Sequence, residues 1–95
     1  MGSKDKRERR IRQNRRAVRA DDLLAVLRDG GFDCQQGGSG HWSCRHEGSG
    51  AWCNMAPAHG RGDGFLLAPY VNGALEAMDQ ARAWAAAQAA KEDQP

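Results

Sequence analysis

Apolar residues recur along this chain in two rhythms, and the switches between them mark its elements. Leu23, Leu24 and Leu27 fall at helical spacing, with Val26 on a flank. Asp21 and Asp22 stand just before them, where a helix N-terminus favours acid, and Asp29-Gly30-Gly31 ends the run. The pattern predicts a helix of about ten residues. The rhythm then shortens to two. Phe32 to Gln36 alternates, and so does His41 to His46, with His41, Ser43 and Arg45 on one face and Trp42, Cys44 and His46 on the other. Ala51 to Ala56 is a third strand, stopped by Pro57. Glycine-rich turns at 37–40 and 47–50 join the three into an antiparallel meander. A glycine-dense loop follows, and the helical rhythm returns after Pro69. Val71, Leu75, Met78, Arg82 and Ala85 share a stripe that alanines carry to about Ala90, with Gly73 weakening its start.

The order is α-β-β-β-α. The fold class expected is α+β: a three-stranded antiparallel sheet with helices on one face, the arrangement that buries both apolar sets. A chain of 95 residues forms one small domain. Its large apolar side chains are few and its helices rich in alanine, so a partner covering part of the surface would add stability. No apolar run has the length of a membrane span, and the charged N-terminus lacks the apolar core of a secretory signal. Cys34, Cys44 and Cys53 are odd in number and not closely paired, which points to a reducing cytoplasm. With His41, His46 and His59 they make no zinc-knuckle spacing, so they read as small buried or half-buried thiols and no metal is expected.

The formal net charge of +2 conceals an asymmetry. Residues 1–20 carry nine Lys/Arg and two Asp/Glu, a net of +7, whereas 21–95 carry five and ten, a net of −5. Residues 1–20 therefore read as a basic arm, partly helical at most and poorly packed. Such an arm suits a polyanion, RNA or DNA phosphate above all, or serves only as a solubilising terminus. Arg7, Arg9, Arg10 and Arg12 are its candidate phosphate contacts.

Candidate chemistry gathers at Gly37-Gly38-Ser39-Gly40-His41. A glycine turn there is a hairpin corner on the surface, which makes His41 reachable. Imidazole gains and loses a proton near neutrality, so His41 is a candidate general base. A plain turn residue is the alternative. Arg45 projects from the same strand face and is a candidate phosphate contact. His46, on the opposite face, reads as a packing or hydrogen-bonding residue. Trp42 reads as core in preference to a base-stacking surface, and Trp84 as a mark of a partner contact.

The ordered set of features resembles the HicA toxin family over about residues 5 to 85. Gly31-Phe32 precedes the first strand, and Ser39-Gly40-His41 stands where the family has Gly-Ser-His, with the small residues in swapped order. His46 matches a second histidine, Pro57-Ala58-His59-Gly60 a Pro-x-His-Gly end to the third strand, and Tyr70-Val71 the start of the last helix. The resemblance implies a fold like a double-stranded-RNA-binding domain in residues 21–90, with 91–95 as a tail. It implies an endoribonuclease that cleaves mRNA and stops translation, with His41 catalytic; the proposed proton transfer needs no metal or cofactor, and His59, in its glycine-rich segment, is a candidate contact for RNA or a partner. It also implies a HicB-like antitoxin. Many relatives carry Lys or Arg before the turn, where this chain has Gln35, Gln36, Gly37 and Gly38. A phosphate clamp is missing there, and the arginine-rich arm offers replacement charge. A decayed toxin or a non-catalytic RNA-binding module is the competing expectation.

Overall fold

The computed structural model describes residues 3–56 and 64–92. Its elements are α1 (Ser3–Gln13), α2 (Ala20–Asp29), β1 (Phe32–Gln36), β2 (Trp42–His46), β3 (Trp52–Met55) and α3 (Ala68–Glu92). From α2 onward the order is the α-β-β-β-α read from the sequence. The strands form one antiparallel sheet in the order β1-β2-β3. Among the described residues no helix is long and apolar enough to cross a membrane.

Alternation decides what the sheet buries. Phe32, Cys34, Cys44, Cys53 and Met55 point inward and are buried, with Trp42 and His46 half-buried on the same face. Asp33, Gln35, Ser43, Arg45, Trp52 and Asn54 point outward and are exposed. The helices cover the inner face. α2 supplies Leu23, Leu24, Val26 and Leu27, and α3 supplies Val71, Leu75, Met78 and a row of alanines. Leu23, Leu27 and Leu75 are at most 1% exposed; full burial of such a side chain contributes ~1.5–3 kcal/mol.

Two features depart from the expected pattern. The expected stripe of α3 holds only as far as Met78. Ala81 is the last buried residue, and nothing from Arg82 to Glu92 is buried, because the sheet has ended beneath it. One ring tethers this overhang. The indole of Trp84 lies over the β2–β3 turn, so close that a Cβ built on Gly48 would sit 2.5 Å from its Cη2. Only glycine leaves room for that approach.

The arm is the second departure, for α1 is a docked helix. Ile11, the one large apolar residue in it, is 4% exposed, and Val18 in the connection is 2% exposed. An ion network fastens the polar side. Glu8 accepts from Arg12 Nε at 2.9 Å and from Arg82 Nη1 at 2.7 Å, while Arg12 Nη2 donates to Asp79 at 2.8 Å. Hydrogen bonding from Arg82, aided by Arg12 and opposed by burial, pulls the Glu8 carboxyl down to about 2. Arg15 Nη1 donates to Asn72 at 2.9 Å, and the Arg19 guanidinium lies 5.0 Å from the Phe65 ring centroid. One correctly placed isoleucine and a set of long-range ion pairs thus convert a charged segment into a third helix.

Candidate active site and nucleic-acid face

His41 is held at the mouth of β2 by the backbone of its turn. Gly37 N–H donates to the His41 carbonyl at 2.8 Å, and Gly40 N–H donates to the Gly37 carbonyl at 3.1 Å. Gly40 has φ +87°, a conformation that a Cβ would strain. The Gln36 amide donates to the Gly40 carbonyl at 3.1 Å and closes the corner. Trp42 turns inward, so alternation sends His41 outward with Ser43 and Arg45, and His41 is exposed.

The strand register fixes what shares that face. Arg45 stands between Asp33 on β1 and Trp52 on β3, and Ser43 between Gln35 and Asn54. Arg45 is four residues beyond His41, roughly 13 Å along the strand. The two side chains therefore stand at opposite ends of β2 on one face. Gln35 Nε2 donates to Asp33 Oδ2 at 3.3 Å. Arg45 makes no side-chain hydrogen bond or ion pair with the described residues.

His46 is at the other end and on the other face of β2. Its ring lies 5.4 Å from Phe32 and 5.6 Å from Trp84, centroid to centroid. Ser49 N–H donates to Nδ1 at 3.1 Å, and the Ser49 hydroxyl lies 2.9 Å from the same atom. A backbone donor on Nδ1 places the proton of the neutral ring on Nε2, an assignment read from the hydrogen-bond network. The packing role expected of His46 is what its surroundings provide. Trp42 likewise packs on the core side, with the Arg28 guanidinium 5.4 Å from its ring centroid.

The three cysteines form one row across the buried face, Cys34 opposite Cys44 and Cys44 opposite Cys53, all free. The hydrogen bond to Cys53, with burial, pushes the Cys44 thiol up, and burial does the same for Cys34. Both are therefore inert thiols at neutral pH.

The expected RNA-contacting residues fall on two sides of the domain. Arg7, Arg9, Arg10 and Arg12 ride on α1, which packs against α2 and is ion-paired to α3, on the side opposite the open sheet face. Arg7 and Arg10 line a hollow of about 130 Å³ with Ile11, Ala17, Val18 and Asp22. Arg12 is occupied by Glu8 and Asp79. The ion network of Glu8, Arg12, Asp79 and Arg82 docks α1 against the helices and takes up Arg12 among the four. His59 and the rest of its loop lie outside the described residues. Sequence reasoning passed over Trp52, which is 56% exposed on the open face beside Arg45. The signal was present in the alternation: Ala51, Cys53 and Met55 are the inward set, which leaves Trp52 outside.

No protein-family model matches the chain, and no curated protein or solved structure matches it significantly.

Proposed function

We propose that this protein is an endoribonuclease toxin of the HicA kind, which cleaves mRNA without a metal and so stops translation. The observation that carries the reading is the exposed His41 at a hydrogen-bonded glycine corner, on a sheet face shared with Arg45, which makes no ion pair with the described residues. His41 takes the proton from a ribose 2′-OH, and the oxygen attacks the adjacent phosphorus. The 5′-oxygen leaves and takes a proton from solvent, so the products are a 2′,3′-cyclic phosphate and a 5′-hydroxyl. Arg45 binds a neighbouring phosphate and holds the strand along β2. Free thiols fit a cytoplasmic protein. The partner proposed is a HicB-like antitoxin that covers His41.

A second reading has its own support. No cation stands in the four residues before the turn, so the charge that builds on the phosphate lacks a local donor. A non-catalytic RNA-binding module, or a decayed toxin, needs no such donor. Cleavage of an unstructured RNA by wild type and His41→Ala, in EDTA and at matched thermal stability, separates the two. The expected result is cleavage by wild type and a loss of roughly 10²-fold or more in the variant. Equal cleavage by both proteins would refute the role of His41, and no cleavage by either favours the binding module.

A further inference from the structure

Trp52 is the most exposed large apolar side chain among the described residues, and its position is not random. It lies directly across from Arg45, and both project from the face that carries His41. Neither side chain has a hydrogen bond, ion pair or ring contact with the described residues. An indole face and a guanidinium thus stand side by side at strand spacing, about 5 Å apart at the backbone. Around them are amides and a hydroxyl from Gln35, Ser43 and Asn54. Among the described strand residues the acid on this face is Asp33, which flanks Arg45 on β1 while Trp52 flanks it on β3, so a phosphate approaches the guanidinium from the β3 side.

We propose that Trp52 and Arg45 form a subsite for single-stranded RNA, the indole stacking on one base and the guanidinium binding the phosphate next to it. This rests on the reading of His41 as the cleaving residue, because the subsite then sets where the cut falls. The run from Arg45 to His41 is roughly 13 Å of strand. Fully stacked nucleotides advance about 3.4 Å each, so the stacked base lies no more than about four nucleotides from the cleaved bond, and fewer if the strand is extended. A duplex cannot use the site, since its bases are already stacked on each other. Every base has a π-face, so the subsite measures distance along the strand more than it selects sequence.

The test uses a labelled RNA of about ten unstructured nucleotides, methylated at every 2′-oxygen so that it cannot be cleaved. Its affinity is read by fluorescence anisotropy for wild type, Trp52→Ala and Trp52→Phe, each checked for an unchanged melting temperature. Trp52→Ala is expected to weaken binding roughly tenfold, with most of the loss restored in Trp52→Phe. Moving an abasic nucleotide along the RNA should find one position that weakens wild type and leaves Trp52→Ala unaffected. Unmethylated RNA, assayed in parallel, should be cut at a fixed short distance from that position. Unchanged affinity in Trp52→Ala would overturn the subsite while leaving the cleavage reading intact. Trp52-dependent binding without any cleavage would sustain the subsite and overturn the nuclease. Duplex RNA bound as tightly as single strand and indifferent to Trp52, or no RNA binding at all, would overturn the subsite.

Discussion

Replacing Glu8 with Gln removes the charge at the centre of the clip that holds α1 to α3. The Glu8 carboxyl, ordinarily near 4.5, is drawn down to about 2, first by its hydrogen bond from Arg82 and then by Arg12, against the cost of burial. A displacement of that size is worth at most ~3.4 kcal/mol. Solvent cuts into it, because the Arg82 side chain is 59% exposed and that of Arg12 30%, although Glu8 itself is 14% exposed. Exposed pairs contribute ~0.2–1 kcal/mol each, so two cations on one carboxylate bring the expected loss to ~0.4–2 kcal/mol at pH 7. The sign of the pH dependence follows from the lowered value. The stabilisation is complete above the unfolded carboxyl's pH of about 4.5 and drains away as the pH falls toward 2. Urea unfolding of wild type and Glu8→Gln at several pH values between 7 and 2 reads the gap directly. It should narrow by more than half over that range and shrink in high salt. A gap that stays constant with pH, or that is below ~0.3 kcal/mol at pH 7, would mean that the ion network does not hold the helix.

Gly48→Ala should drive the Trp84 ring off the β2–β3 turn, since a Cβ would meet three of its ring atoms at 3.0 Å or less. The expected cost is ~1 kcal/mol, with a red shift in tryptophan emission as the check. Replacing Arg7, Arg9 and Arg10 with Gln should flatten the salt dependence of RNA binding while leaving cleavage of bound RNA unchanged, because these residues lie on the helical side, away from His41. An unchanged slope would make α1 a structural element alone.

The sheet and its covering helices were legible because each signal there is local. Alternation, two glycine corners and a leucine triplet lie within a few residues of each other, and the observed strands fall inside the expected ones. The docking of α1 was not legible. Its charge density resembles that of a solvated tail, and the partner that neutralises Glu8 is Arg82, 74 positions away. Trp52 was overlooked for a different reason. Bulk and hydrophobicity argue that a tryptophan belongs in the core, but the layer between sheet and helices is already filled by Phe32, the cysteines and Met55 of the sheet and the leucines, valines and alanines of α2 and α3, and the strand phase gives Trp52 the other side. His41 was placed correctly at an exposed corner, since the turn that exposes it is written in consecutive glycines.

The clip between α1 and α3 also sets an order of events during synthesis. α1 emerges from the ribosome before α3, and Arg82 follows its partner Glu8 by 74 positions. At ~5–20 residues per second that interval is ~4–15 s. Throughout it Glu8 lacks Arg82, for most of it Arg12 lacks Asp79, and the inner face of the sheet lacks its second helix. A nascent chain of this protein is therefore a more basic and less closed object than the finished domain, at the time when it is surrounded by ribosomal RNA and its own messenger. Closure comes only when Asp79 and Arg82 arrive, so α3 ends the exposure of α1.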